Sequence, residues 1–184
     1  MTNYQLPSGP FGIIYADPPW NYRDTGIRGG TKKHYSTMTL EHLCGEFAHQ
    51  GRQIVADDAL LFMWGTYPLL PEMFLVARAW GFEYKTLAFQ WVKRYASGKP
   101  FIGCGHWTRS NTEGCFLFTR GKPPRRVDSG VWQVIESMPE RHSAKPREAR
   151  DRIDRLMGFG PGLRRVELFA RSTTSGWTAW GNEV

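Results

Sequence analysis

Short apolar runs alternate with amphipathic segments along the whole chain. The apolar runs predict strands, because residues buried on both faces of a parallel sheet form continuous hydrophobic stretches rich in β-branched and aromatic side chains. Segments with apolar residues at a helical spacing predict the helices between them. The predicted strands are centred on 13–15 and cover 59–64, 84–92, 114–119, 131–135 and 166–170.

Each of the three predicted helices has a start or a stop signal. The first begins after Thr39, a residue type that caps helices, and the second, 69–80, stops at Gly81. The third, 146–157, has proline at its start and glycine after its end. Strands and helices that alternate at these lengths predict an α/β fold with a doubly wound, mainly parallel sheet. With no repeat and no linker, we expect one domain, 1–184.

The segment 12–20 reads GIIYADPPW and carries the strongest chemical signal in the chain. Asp17 follows the first strand, and open α/β sheets bind their ligands at the carboxyl ends of strands. The proline after Asp17 favours an extended backbone, which projects the carboxylate into that crevice. Pro18 and Pro19 lack N–H groups, so we expect their carbonyls to be free acceptors. The alternative is a turn that closes the strand, with Trp20 in the core.

An acid and a backbone carbonyl at this position suit methyl transfer to the amino group of a base. The exocyclic amine of adenine is a weak nucleophile, because its lone pair is delocalised into the ring. Two acceptors for its N–H groups would draw it towards tetrahedral geometry and stabilise the positive charge that develops on nitrogen. Trp20 offers a flat face to an extruded base, a contact worth about 1–3 kcal/mol. We therefore predict that Asp17, Pro18, Pro19 and Trp20 form the catalytic site.

Other short motifs follow DPPWNY in a definite order. They are HYSTM, LLFMWGT, AWGFEY, WVKR, GHWTRSNTE, ERHSAKP, VELFARS and GWTAWGNEV. In this order they resemble the MT-A-seventy family, the adenine-N6 methyltransferases that include the eukaryotic messenger-RNA enzyme and many short phage and bacterial proteins. The resemblance covers nearly the whole chain. It implies a Rossmann-like fold that uses S-adenosylmethionine, with the permuted, beta-type order of motifs.

The resemblance also implies where S-adenosylmethionine binds. It places Asp17 against both the target amine and the ammonium group of the cofactor, and Lys145 against the carboxylate of the cofactor. Glu167, Arg171 and Asn182 match positions around its ribose and methionine parts. The residues alone support Glu167, since a carboxylate near a strand end accepts hydrogen bonds from ribose hydroxyls. For Lys145 and Arg171 the alternative is solvated surface charge, and for Asn182 it is a turn.

The acceptor side is predicted from the resemblance and from a basic loop. Tyr35, Asn111 and Glu113 match acceptor-side positions of the family. Between the strands 84–92 and 114–119, basic residues are interleaved with aromatic ones, which mixes phosphate contacts with stacking surfaces. The loop residues that we assign to nucleic acid are Lys93, Arg94, Trp107 and Arg109. We expect the polar, glycine-rich segment 21–33 on the same face; the alternative for both is a pair of solvated connections.

Composition agrees with a nucleic-acid partner. The net charge of +7 and the pI near 9.5 suit a polyanion and a cytoplasmic setting. There is no long apolar span and no signal-peptide pattern, so neither membrane insertion nor secretion is indicated. The cysteines Cys44, Cys104 and Cys115 show no C-x-x-C spacing, and Cys104 with His106 has no second pair. We therefore expect neither a disulfide framework nor a bound metal.

These patterns predict a site-specific DNA adenine-N6 methyltransferase. The alternatives are the same chemistry on RNA adenosine, transfer to cytosine N4 in DNA, and a catalytically silent nucleic-acid-binding subunit. An intact DPPW argues against the silent subunit, which has no need of an acid there. A chain of this length offers few side chains to read base edges, so we expect a short target or a second subunit, with a homodimer preferred. A functional and a structural role for His142 are both open.

Overall fold

A computed structural model describes residues 5–21, 37–105, 107–139, 144–160 and 162–184. The strands are β1 (Phe11–Ala16), β2 (Val55–Gly65), β3 (Glu83–Lys93), β4 (Thr112–Arg120), β5 (Val134–Ser137), β6 (Arg165–Leu168) and β7 (Thr178–Trp180). The helices are α1 (Leu40–Cys44), α2 (Glu46–Ile54), α3 (Leu70–Ala79) and α4 (Arg147–Met157), with a 3-10 turn at Tyr67–Leu69. All seven strands form one sheet in the order β5-β3-β4-β2-β1-β6-β7.

The sheet is mainly parallel, as the sequence predicts. β1 is parallel to β2 and β6, β6 to β7, and β3 to β5. Within the described part of the chain, β4 alone runs against its neighbours β2 and β3. The alternation of strands and helices is interrupted at this point, because a loop and no helix joins β3 to β4, and strands without a crossover helix between them are able to pair antiparallel.

Helices pack on both faces of the sheet, which gives a mixed α/β fold. All six residues of β1 are buried, as a strand covered on both sides requires. Ile14 and Ala16 join the core that contains residues of α1, α2 and α3. Ile13 and Tyr15 join a second core with α4. We call the second side the α4 face.

The predicted helix signals act where they are expected. The Thr39 hydroxyl accepts a hydrogen bond from the His42 N–H at 3.1 Å and caps α1. The predicted first helix is nevertheless broken in two, because Gly45 has a non-helical backbone between α1 and α2. Gly81, with φ +88°, follows α3, and Gly158, with φ +62°, ends α4. Both glycines occupy the left-handed region that side chains disfavour.

Several strand predictions differ from the structure. β2 begins at Val55 and not at 59. β5 begins at Val134 and not at 131, because its register is set by pairing with Gln90 of β3. β6 ends at Leu168 and not at 170, because Phe169 has φ +63° and leaves the extended conformation. β7 was not predicted at all, since three half-buried residues form no recognisable apolar run.

One edge of the sheet collects the chain segments that carry chemistry. The six parallel strands end at this edge, and the reversed β4 begins there. We call it the carboxyl edge. The loop 94–111, here called the connecting loop, joins β3 to β4 along it. In the described ranges, no helix has the length and apolar character needed to cross a membrane.

Candidate active site

The DPP segment leaves β1 at the carboxyl edge, as predicted, but its proline carbonyls are already in use. The Trp20 N–H donates to the Pro18 carbonyl at 2.8 Å, and the Met38 N–H donates to the Pro19 carbonyl at 2.9 Å. The expectation of free carbonyls is therefore wrong. Each oxygen has two lone pairs, so each keeps capacity for one more donor.

Trp20 lies in the core, as the structural alternative to a stacking role requires. Its side chain is only 8% exposed, and its Nε1 donates to the Trp64 carbonyl at 3.1 Å. Trp64 donates its own Nε1 to the Tyr15 hydroxyl at 2.7 Å. Trp20 thus ties the segment after β1 to β2, and in this conformation it does not offer the open face that stacking needs.

Four charged side chains of alternating sign meet at the carboxyl edge, and we call them the charge chain. Lys145 Nζ lies 2.7 Å from Asp17 Oδ2 and 3.4 Å from Glu113 Oε2. Lys93 bonds to the other oxygen of Glu113, Oε1. The four side chains are between 12% and 20% exposed. Lys145 Nζ also lies 5.8 Å from the centre of the Trp64 ring, so an aromatic ring lies beside the charge chain.

The electrostatics of the charge chain favour the paired state. Burial acts to lower the pKa of Lys145, but Asp17 and Glu113 outweigh it and raise that pKa above the usual value. Burial acts to raise the pKa of Glu113, yet Lys145 and Lys93 bring it below the ordinary range. The pKa of Asp17 is raised by burial, against the opposing effect of Lys145. Lys145 therefore keeps its charge at every physiological pH.

The predicted cofactor residues lie at the ends of β1, β6 and β7, except Lys145, which lies just before α4. Glu167 is buried, and Arg150 Nη1 of α4 binds its Oε2 at 2.5 Å. Burial raises the pKa of Glu167, and Arg150 opposes this. Arg171 is partly exposed and lies near enough to lower the pKa of Asp17. Asn182 is exposed after β7.

A strained residue precedes Arg171. Phe169 has φ +63°, a conformation that an aromatic residue rarely adopts. It is held by ring contacts to Phe47 at 5.1 Å and Trp180 at 5.6 Å. Gly181 packs closely against Ala170, the residue after Phe169. A Cβ on Gly181 would lie 2.2 Å from the Ala170 carbonyl oxygen. Strain of this kind concentrates at functional sites.

The residues assigned to nucleic acid fall into two groups. Lys93 faces inward to Glu113, and Arg94 Nη2 binds Glu136 at 2.7 Å, so neither ammonium nor guanidinium is free for a phosphate in this structure. Their assignment as direct phosphate contacts stays a prediction, in which a phosphate would have to compete with these carboxylates. Trp107 is fully exposed, and Arg109 is exposed beside it. Asn111 is partly buried at the base of the loop, where its carbonyl accepts from the Lys93 N–H.

A cavity of about 140 Å³ opens beside Lys145. Its wall includes Trp91 of β3 and Ala144, and Trp91 Nε1 donates to the Ser137 hydroxyl at 2.9 Å. Sequence reasoning missed Trp91. A signal was present, because Trp91 and Lys93 are two residues apart and share a face of their strand.

Some predictions lie outside the described residues. These are Tyr35, His142, His106 and the segment 22–33. In the ranges that the structure does describe, no three His, Cys, Asp or Glu side chains gather as metal ligands.

The chain is similar to methyltransferases over nearly its full length. The MT-A70 family model matches residues 11–183. A type II methyltransferase of a Mycoplasma species, M.MunI, is 36% identical over 200 residues, which cover 98% of this chain and 80% of the relative. The N6-methyladenosine RNA methyltransferase MTA1 of Pyricularia oryzae is 32% identical, with 97% of this chain and 48% of the relative covered. The human N(6)-adenosine-methyltransferase catalytic subunit METTL3 is 27% identical, with 96% and 28% covered.

Proposed function

Because this chain belongs to the MT-A70 family of methyltransferases, we propose that it methylates N6 of adenine in DNA, with S-adenosylmethionine as the donor. The relative M.MunI supports DNA, since it is a bacterial type II enzyme and 80% of its length is matched. The relatives named for RNA are matched over 48% and 28% of their lengths, so most of each lies outside the comparison.

The observation that carries the proposal is the setting of Asp17 at the carboxyl edge. Lys145 binds Oδ2, and among the described residues no donor is bonded to Oδ1. Oδ1 is thus suited to accept one N–H of an adenine amine. A carboxylate held in a partly dry site also stabilises the positive charge that develops on the attacked nitrogen, and needs no rearrangement to do so.

A second acceptor is available next to Asp17. The Pro18 and Pro19 carbonyls each accept one backbone N–H and have a second lone pair. One of them would accept the other N–H of the amine. Two acceptors fix the direction of the nitrogen lone pair, which an in-line displacement requires.

We propose that the cavity beside Lys145 receives the extruded adenine. Trp91 and Lys145 line this cavity, and Lys145 connects it to Asp17. Trp91 is only 2% exposed and belongs to the core on the α4 face, so, like Trp20, it offers no open face for stacking.

The residues at the ends of β1 and β6 fit the groups of S-adenosylmethionine. Asp17 and Glu167 are carboxylates suited to an ammonium and to ribose hydroxyls, and Arg171 is a cation suited to a carboxylate. Lys145, which is bound to Asp17 and Glu113, and Arg171, whose Nη1 lies 3.7 Å from Glu183 Oε1, are both cations suited to the carboxylate of the donor. When bound, the cofactor supplies an activated methyl group for displacement without a covalent enzyme intermediate.

The proposal is tested by expressing the chain in a host that lacks adenine methylation and digesting the DNA to nucleosides. We expect N6-methyladenine in one short sequence context, and none with the Asp17→Ala variant. N4-methylcytosine in place of N6-methyladenine would show that the acceptor is wrong. In vitro competition between matched DNA and RNA decides the polymer, and methylation of RNA alone would overturn the DNA assignment. A folded protein that methylates neither would indicate the silent subunit.

A further inference from the structure

We propose that Lys93 is a positioning residue for methyl transfer, which holds Glu113 and through it keeps Lys145 beside Asp17. This role differs from a phosphate contact, the role that the sequence alone suggests. The inference rests on the proposed function, because it takes Asp17 as the group that binds the reacting amine.

The sheet brings these groups to one face by strand alternation. Tyr15 of β1, Trp91 of β3 and Cys115 of β4 belong to the core on the α4 face. Side chains two residues apart on a strand point in the same direction. Asp17, Lys93 and Glu113 stand in that relation to them, at the carboxyl edge. Lys145 comes from the segment before α4 and completes the group.

The contacts divide the two oxygens of Glu113 between two lysines. Oε1 binds Lys93, and Oε2 faces Lys145 at 3.4 Å. Lys145 lies closer to Asp17, at 2.7 Å. With Lys93 bound to Oε1, the Glu113 carboxylate is already paired with one cation. It therefore competes only weakly with Asp17 for Lys145. Without Lys93, two carboxylates would compete for a single ammonium.

Charge balance gives the same result. The charge chain contains two cations and two anions, so its net charge is zero. Two further charged groups of the described part act on it: Arg171, from the end of β6, lowers the pKa of Asp17, and the like charge of Asp17 raises the pKa of Glu167. The Cys115 thiol of β4 stays neutral, because burial raises its pKa well above the usual value. Loss of one cation would leave excess negative charge, which makes protonation of Asp17 and Glu113 easier.

The surroundings of Lys93 argue against a phosphate contact. Its side chain is 19% exposed, and its Nζ lies 4.8 Å from the centre of the Trp91 ring. Binding a phosphate would require breaking the pair with Glu113 in a partly dry site, which leaves that carboxylate without its cation. Lys99 differs in being exposed on the same connecting loop. It provides a matched control.

The first test does not depend on methylation. We would measure the unfolding free energy of wild type, Lys93→Met, Glu113→Gln and the double variant at pH 7. Methionine keeps most of the stem that packs on Trp91 and removes the charge. We expect Lys93→Met to destabilise wild type more than it destabilises Glu113→Gln, because the pair is already lost there. Equal losses in both backgrounds would overturn the inference. The cycle remains valid even if the wild type proves to methylate neither DNA nor RNA.

The second test measures single-turnover methylation at saturating DNA as a function of pH. For Lys93→Met we expect the acid limb to move to higher pH by about one unit or more, the effect of one charge at contact distance. We expect Lys93→Arg to restore the wild-type pH profile. Lys99→Met should show the same pH dependence of the rate as wild type. A purely structural role would lower the rate equally at all pH values.

DNA affinity as a function of salt separates the two roles of a lysine. We expect Lys93→Met to keep the wild-type salt slope, whereas Lys99→Met makes it shallower by about 0.9 if Lys99 meets one phosphate of duplex DNA. A Lys93→Met variant with a shallower salt slope and a wild-type pH profile would show that Lys93 is a phosphate contact, and the inference would be wrong.

Discussion

The connecting loop and the strand end from which it starts contain similar residues and are built in opposite ways. At its base, Lys93 is bonded to Glu113 and packs on Trp91. At its far part, Trp107 is fully exposed, with Arg109 exposed beside it. A basic residue next to an aromatic one therefore indicates no single role. Burial decides whether the pair organises a reaction site or offers a surface to a partner.

This contrast separates two kinds of effect. Charges at the base are partly removed from water. They therefore affect chemistry and stability strongly, and their effects depend only weakly on salt concentration. Charges on the exposed part are screened, so they affect binding in a salt-dependent way and contribute little to stability. Variants of each region should therefore change different measurements.

The largest effect is expected for Asp17→Ala. Loss of the acceptor for the amine should lower the single-turnover rate by roughly 100- to 1,000-fold, the cost of one transition-state hydrogen bond. Asp17→Asn, which keeps one acceptor oxygen but loses the charge, should lie between alanine and wild type. Asp57→Ala, at an exposed acid near the start of β2, is the control and should keep the wild-type rate. Near-normal turnover by folded Asp17→Ala would refute the mechanism.

A large loss of stability is expected for Lys145→Met. Without the ammonium, Asp17 loses its cation, Glu113 keeps only Lys93, and the two carboxylates repel each other, which should cost about 3 kcal/mol at pH 7. Protonation of the carboxylates relieves this repulsion, so the gap to wild type should narrow as the pH falls towards 4. Urea unfolding at several pH values measures it, with Lys85→Met, at an exposed lysine of β3, as the control. A gap that is independent of pH would contradict the electrostatic explanation.

An intermediate effect on binding is expected for Trp107→Ala. If this exposed ring stacks on a base, its loss should weaken nucleic-acid binding about tenfold, within the range of about 1–3 kcal/mol for such contacts. The melting temperature should stay unchanged, because the side chain is fully exposed. Trp132→Ala is a matched control, since Trp132 is 79% exposed and lies before β5, at the opposite edge of the sheet. An equal loss of affinity in both variants would indicate nonspecific binding.

The smallest effect is expected for Arg109→Ala. One lost phosphate contact on duplex DNA should make the slope of log affinity against log salt shallower by about 0.9, with a few-fold weaker binding at physiological salt. Arg94→Ala is the comparison, because the Arg94 guanidinium is bound to Glu136 and to the Gly98 carbonyl. Titration at four salt concentrations separates them. The same change of slope in Arg94→Ala would mean that the Glu136 pair opens for DNA.

The sequence identified individual residues of the site but not how they are arranged. Asp17, Lys145 and Glu113 were each identified from motifs, and the structure brings all three together. Their mutual contacts were not predicted, because they are 32 to 128 residues apart along the chain. Trp20 and Lys93 were assigned to substrate by residue type, whereas their neighbours, Trp64 and Glu113, engage them inside the protein. A residue type determines which interactions a side chain is able to make, but not which groups it contacts in the folded protein.

The sequence by itself determined the local structure of this protein. Continuous apolar runs, glycine stops and the Thr39 cap act over a few residues, so strands and helices follow from them. Alternation along each strand also determined which side chains share a face. Only the tertiary structure decided which strands are neighbours and that β4 runs in reverse. That reversal places Glu113, near the beginning of its strand, at the edge where β1 ends before Asp17. Pairing between strands depends on contacts across the whole fold, and no short stretch of sequence contains them.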